Sequence, residues 1–381
     1  MRTRGYDDIW SQVAEIVGDV RARGDAALLD WTERLDGVRP DSARVPAAEL
    51  AAAALDPEAL DALLRLATAV ELFHAPQRPP DVRVDTLPGI EAERRFVPLD
   101  SVGVYAPGGL AAYPSTLAMT VVPAHVAGVK RIAVATPRPT PGMLAAAREL
   151  GVDEVYAVGG AQAIGALAFG TETVTPVDKI VGPGNRWVTA AKLLVSAHVG
   201  IDLPAGPTEV VIVADDTAEP GLAAADLAAQ LEHGPDGAAL LLTTSAELAA
   251  AVAALVPDAE TRVVADLDEA IEASNAFAPE HLQLHVADPE ALAVRVTSAG
   301  AVFLGEQTSS VLGDYAVGTN HVLPTGGLAR AAGGLGLEAF LKPIQLVRAT
   351  RDGVAAAAEI VGPLARVEGL PLHAAAVEAR L

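Results

Sequence analysis

From residue 131 onward the chain alternates short apolar runs with alanine-rich stretches of helical length, and few architectures accommodate that rhythm. "RIAVATP", "EVYAVGG" and "KIVGPG" are separated by "PGMLAAARELG" and "AQAIGALAFG". The pattern resumes with "EVVIVAD", "LAAADLAAQLEHG" and "AALLLTT", and later "TRVVAD", "LQLHVAD" and "AVFLG". Strands that are apolar throughout are covered on both faces, as in parallel sheets flanked by helices. Two such series, 131–184 and 209–305, predict an α/β protein with two Rossmann-like modules. A chain of 381 residues is long enough to bury more than one core.

The segments before and after read as helix. "SQVAEIVGDVRARGDAALLDWTERLDG" carries apolar residues at helical spacing, with stops at Gly24 and Gly37. "DPEALDALLRLATAVELFHAPQ" begins with Asp56 as N-cap and Pro57 at the first helical position. The last forty or so residues return to helix, ending in "GLPLHAAAVEARL". Residues 102–129 carry no charge and have the length of a membrane span. Pro107, Gly108, Gly109, Pro114 and Pro123 break that stretch into loop plus helix. The opening "MRTRGYDDIWSQV" lacks the apolar core of a signal peptide, so a soluble, cytoplasmic protein is expected.

Charge and cysteine content narrow the chemistry. Lys plus Arg number 27 against 49 Asp plus Glu, a net charge of −22, and no basic run offers a nucleic-acid or anionic-membrane surface. Cysteine is absent, which excludes disulfides, thiolate zinc sites and cysteine nucleophiles. Any metal must be held by His, Asp, Glu or Gln.

Ligands of parallel α/β sheets gather at the carboxyl ends of the strands. Three glycine-rich segments fit: 104–115 ("VYAPGGLAAYPS"), 158–165 ("VGGAQAIG") and 180–192 ("IVGPGNRWVTAAK"). The last two are strand–glycine–helix turns, which aim backbone N–H groups at an anion, although each taken singly is also an ordinary tight turn. "GLGLEA" (334–339) matches a dinucleotide pattern in form only, because no strand precedes it. "QLEH" places Gln230 and His233 on one face at a helix end, a spacing that suits a shared metal or a plain polar cap. "FAPEHLQLHV" sets Glu280 beside His281, a pair able to move protons near neutral pH or an exposed strand start. "LGDYAVGTNHVLPT" (312–325) reads as a loop and holds Asp314 seven residues before His321. By itself Asp314 could simply cap a backbone group. "VEGLPLH" brings Glu368 and His373 to a turn entering the final helix. His74, His125, His198 and His285 read as structural.

Taken in order, "GGAQAIGALAFGTETVTPVDKIVGPGN", "GIDLPAGPTEVVIVAD", "APEHL", "LGDYAVGTNHVLPT" and "EGLPLH" resemble histidinol dehydrogenase, from about residue 10 to the C-terminus. The resemblance implies a homodimeric Zn2+ enzyme that oxidises L-histidinol through L-histidinal to L-histidine with two NAD+. It implies Gln230, His233, Asp314 and His373 as zinc ligands. Thr208, His321 and Glu368 would contact the substrate with them, as would His281. Tyr105, Gln162 and Asn185 would contact NAD. Glu280 would activate water and His281 would take the alcohol proton, while zinc, which has no redox chemistry, anchors the substrate. The implied organisation is residues 1–103 with 208–335 as one α/β domain, 104–207 as the NAD-binding domain, and 336–381 as a helical segment docking on the partner subunit. Three features depart from the family's pattern. The N-terminus is shorter than usual, Thr208 stands where Ser is common, and 328–345 lacks the usual Ser-rich and basic pattern. Two alternative readings are a relative oxidising another alcohol, such as sulfopropanediol, and a nucleotide- or metal-binding protein without turnover. An acid/base pair argues against the latter, since binding alone has no use for one.

Overall fold

Helices open the chain where the spacing predicts them. In the computed structural model, which describes residues 6–108 and 113–381, Trp10–Arg23 ends at Gly24 and Asp25–Asp36 ends at Gly37. Residues 1–5 of the opening stretch and 109–112 of the first glycine-rich segment lie outside the described residues. Asp56 accepts hydrogen bonds from the N–H groups of Glu58 and Ala59, starting the helix Pro57–His74. Next come two strands the sequence reading did not foresee, β1 (Val82–Leu87) and β2 (Ile90–Pro98), which form an antiparallel hairpin. Pro88 and Gly89 turn it, and Gly89 at φ 79° takes the left-handed conformation such a turn favours.

The first parallel sheet contains β3 (Ser101–Tyr105), β4 (Arg131–Ala135), β5 (Glu154–Tyr156), β6 (Lys179–Val181) and β7 (Gly200–Ile201) in the order β5-β4-β3-β6-β7. The second contains β8 (Glu209–Ala214), β9 (Ala238–Thr243), β10 (Glu260–Val263), β11 (His281–His285) and β12 (Ala301–Leu304) in the order β10-β9-β8-β11-β12. Both follow the same rule. The chain lays strands to one side of the first, then returns to its other side, leaving a switch point between β3 and β6 and another between β8 and β11. Helices fill the crossovers, and apolar clusters cover both faces of each sheet. The uncharged stretch 102–129 becomes β3 and the fourteen-residue helix Pro114–Ala127. No helix among the described residues is long and apolar enough to cross a membrane.

One expectation needs correction. Residues 336–381 are not wholly helical. Strand β13 (Leu341–Ala349) pairs antiparallel with β2, from Leu341 opposite Pro98 to Ala349 opposite Ile90. Only then do the helices Arg351–Val367 and Pro371–Glu378 follow. The pairing partner lies about 250 residues upstream, so local periodicity could not reveal it. The N-terminal helices pack with the first sheet, and the helix Pro57–His74 also shares its core with Val322 and Leu335. Val13, Ile16, Val17 and Val20 share a core with Tyr105, Ile164 and Val188, while Leu63, Leu66 and Val70 join Val104 and Leu117. The first helix crosses at Gly165, where a Cβ would meet the Val17 Cα at an ordinary contact distance of 3.4 Å.

Candidate active site

A cavity of about 430 Å³ lies where the two sheets face each other. One wall comes from the carboxyl edge of the first sheet, at its switch point. It comprises Pro107 after β3, Ser115 and Thr116 at the start of Pro114–Ala127, and Pro183, Gly184 and Asn185 after β6. The other wall comes from the amino edge of the second sheet, where Thr208 precedes β8, Glu280 precedes β11 and His281 opens it. Gln230 is buried in the last turn of the helix Pro220–Leu231, and His233 follows just beyond it. Asp314 is also there. It belongs to a short helix, Ser310–Tyr315, and not to a loop as the sequence implied. The Ser309 side chain accepts from the Val311 N–H and starts that helix despite Gly313, which fits because the turn packs against Phe303. His321 completes the wall, its Nε2 3.4 Å from Thr116 Oγ1 on the opposite side.

Burial sets the electrostatics. The Glu280 carboxyl is pushed up to about 8, chiefly by burial and further by Asp314; hydrogen bonds from the Thr208 side chain and the Glu209 N–H pull the other way. The Glu209 N–H bond to Glu280 Oε2 is 3.0 Å. Burial also pushes His281 down to about 4, with His321 and His233 adding to it. His281 Nδ1 lies 3.8 Å from Glu280 Oε2, and Nε2 lies 3.9 Å from Asp314 Oδ1. Asp314 is raised to about 7 and His321 lowered to about 4, burial being the main cause in each. A neutral imidazole is the form that accepts a proton, and a carboxyl of raised pKa is the stronger base once ionised.

Thr208, Gln230, His233, Glu280, His281, Asp314, His321 and Asn185 therefore meet in one cavity. Tyr105 and Gln162 are not among the residues that line it. The Tyr105 hydroxyl accepts from the Gly160 N–H at 3.2 Å, and burial raises its pKa to about 12. Gln162 is fully buried with neither amide atom hydrogen-bonded. Glu368 and His373 are exposed on the C-terminal segment and do not line this cavity. Among the described residues no three His, Cys, Asp or Glu side chains converge to hold a metal, so this chain's candidate set consists of Gln230, His233 and Asp314. The four histidines read as structural do bond elsewhere: His74 to the Val70 carbonyl, His125 to the Leu150 carbonyl and His285 to Gln283, while His198 stacks edge-on against Phe169.

The sequence reading missed Thr116, signalled only by a proline at a helix start, and a polar layer beneath the cavity. In that layer Ser309 donates to Asp226 on the helix bearing Gln230, and Gln283 on β11 donates to Ser310 at 3.1 Å. It ties together the three elements that carry Gln230, His281 and Asp314.

Two Rossmann-like sheets around a cleft with a buried carboxyl–imidazole pair define an α/β enzyme of the dehydrogenase class. The family model for histidinol dehydrogenase matches residues 1–381. Similar curated relatives are the histidinol dehydrogenases of Halobacterium salinarum, 46% identical over 100% of this chain and 95% of that protein, and of Thermobifida fusca, 46% identical over 97% and 91%. The crystal structure of histidinol dehydrogenase from Elizabethkingia anophelis superposes with a TM-score of 0.94 at 36% identity, covering 100% of this chain and 93% of that one. The chain belongs to the histidinol dehydrogenase family.

Proposed function

We propose that the chain oxidises L-histidinol through L-histidinal to L-histidine, and that the Glu280–His281 pair in the shared cavity carries both oxidations. As hydride leaves the alcohol carbon, a ring nitrogen of neutral His281 takes the hydroxyl proton. Glu280, once ionised, takes a proton from water as its oxygen attacks the aldehyde carbon, and a second hydride loss gives the acid. Alcohol to acid is a four-electron change, so two hydride acceptors are consumed. NAD+, when bound, supplies that acceptor; Asn185 would hold it at the cavity wall, and the unpartnered amide of Gln162 and Tyr105 would contact it as well. An amide oxygen, an imidazole and a carboxylate form a donor set suited to Zn2+, and the Gln230 amide is buried there with its Nε2 unpartnered. Zinc held by Gln230, His233 and Asp314, with His373 as fourth ligand, would anchor the substrate as a Lewis acid. Thr208, His321 and Glu368 would position the substrate's polar groups.

Residues 328–345, whose pattern departs from the family, contribute nothing to the cavity lining; Leu335, Leu337 and Phe340 are core residues against the first sheet. Thr208, the departure that does line the cavity, keeps the hydroxyl that serine would supply. NADH yield tests the reading, with two NADH and one histidine expected per L-histidinol. One NADH with accumulating aldehyde, or turnover with a different alcohol only, would overturn it. For the metal, His233→Ala or Asp314→Ala is expected to abolish binding and activity together while circular dichroism stays unchanged. Elemental analysis should find about one divalent ion per wild-type chain. Full activity in metal-free protein would remove the anchoring role.

The same reading makes the enzyme a homodimer with composite sites. The helix Arg351–Val367 buries only Gly353 and Ala365, and Ile360, Leu364, Val367, Leu370 and Leu372 are exposed along the C-terminal segment. Such a stripe requires a surface to cover it. A cytoplasmic setting, where NAD+ is recycled, suits this chemistry.

A further inference from the structure

Lys192 and Asp202 form an ion pair with side chains 2% and 1% exposed, beneath the glycine turn that lines the cavity. Lys192 lies on the helix Arg186–Val195, and Asp202 follows β7. The ammonium's three donors are all engaged: one by Asp202, one by the Gly182 carbonyl at 3.0 Å and one by the Leu203 carbonyl at 3.1 Å. The Asp202 carboxylate in turn accepts from the Gly182 N–H at 2.7 Å. Both backbone polar groups of Gly182 are thus gripped by one pair. Gly182 has φ +107°, and a Cβ there would lie 2.1 Å from the Tyr105 carbonyl oxygen. The turn therefore has one seat, pressed against the end of β3. From it run Pro183, Gly184 and Asn185, all cavity-lining. Asn185 Oδ1 accepts from the Trp187 and Val188 N–H groups, leaving its NH2 as the group available to a ligand.

A buried ion pair contributes little net stability, because desolvation offsets attraction, and apolar replacements are often neutral. What this pair does specify is geometry. We propose that Lys192 and Asp202 are positioning residues that hold the Gly182–Asn185 turn in the conformation that receives the dinucleotide. The proposal rests on the NAD+ reading above. The substrate wall rests on other elements, since Gln230, His281 and Asp314 belong to the helices Pro220–Leu231 and Ser310–Tyr315 and to β11, outside the helix and turn that Lys192 and Asp202 hold. Dinucleotide affinity should therefore suffer while substrate affinity does not.

The test uses the metal-loaded full-length enzyme, with NADH binding followed by fluorescence and steady-state kinetics followed with NAD+ and L-histidinol. Lys192→Met is expected to raise the NAD+ KM and the NADH Kd on the order of 10-fold, less than the roughly 10²-fold a full 1 Å misplacement can cost. The KM for L-histidinol and metal content should stay at wild-type values, and kcat at saturating NAD+ should change by no more than about 3-fold. Removing one partner of a buried pair can unfold a protein. Lys192→Met with Asp202→Asn removes both charges at similar volume, and the same pattern is expected there. A folded variant with wild-type NAD+ KM would overturn the proposal, as would parallel loss of kcat and both KM values. Failure of both variants to fold would make the pair a folding requirement and also overturn it. Wild-type enzyme without NAD+-dependent turnover would remove the NAD+ reading itself, an outcome separable from wild-type behaviour in the variants.

Discussion

His281→Asn is expected to slow alcohol and aldehyde oxidation alike, by about 10²–10⁴-fold, the usual contribution of a positioned base. The imidazole is neutral in its buried setting and adjoins both Glu280 and Asp314. No other histidine nitrogen lies within 4 Å of the Glu280 carboxyl among the described residues. Glu280→Gln should behave differently. The glutamine oxygen can still accept from the Glu209 N–H, so the start of β11 is kept, but the side chain can no longer remove a proton from water. Aldehyde oxidation should fall far more than alcohol oxidation, and the NADH yield per L-histidinol should drop from two toward one as aldehyde accumulates. Single-turnover NADH traces, with trapping of the aldehyde, read both steps. Equal, small losses from the two substitutions would sink the assignment of roles. Thermal unfolding of each variant guards against a trivial cause, because His281 packs at 5.8 Å, centroid to centroid, from the Phe303 ring.

What the sequence displayed of this fold follows from where water is excluded. Strands β4, β8 and β9 are buried on both faces, so their composition alone declares them. Strand β3 is just as buried yet was read within loop, because Gly103 interrupts it and a Pro-Gly stretch follows. The glycine is needed there, since a Cβ would come within 3.0 Å of Val177 and 3.2 Å of Leu167. The sheet of β1, β2 and β13 is largely exposed and charge-bearing, and its third strand comes from the far end of the chain. Among the candidate site residues, chemistry and spacing raised Glu280, His281, Gln230 and His233, each beside a plainer reading as a cap or strand start. Their meeting with Asn185 could not be inferred that way, because it depends on the carboxyl edge of one sheet facing the amino edge of the other. Lys192 was hidden for a related reason. A lysine in an amphipathic helix ordinarily reads as solvent-facing, and this one turns inward onto Asp202, ten residues on, and the Gly182 and Leu203 carbonyls.

Mixing two inactive homodimers is expected to restore activity, and the amount recovered reports which chain supplies His373. Its position makes the case. His373 sits exposed on the helix Pro371–Glu378, outside the cavity that collects Gln230, His233 and Asp314 from the same chain. In an isologous two-fold dimer any exchange of C-terminal segments is reciprocal, so each site would take one tail from its partner. His281→Asn and His373→Ala homodimers should each be nearly inactive, the first lacking its base and the second a metal ligand. In a mixed dimer with exchanged tails, one site carries both defects. The other combines an intact His281 with an intact His373 from the neighbouring chain. Random pairing on co-expression makes about half of the dimers mixed, so roughly a quarter of all sites should be whole. Two different affinity tags allow the mixed species to be purified, and its activity should then approach half that of wild type. If His373 served its own chain, every site in the mixture would keep one defect. Purified mixed dimer with no activity above the parents would therefore refute the composite site while leaving the His281 assignment untouched.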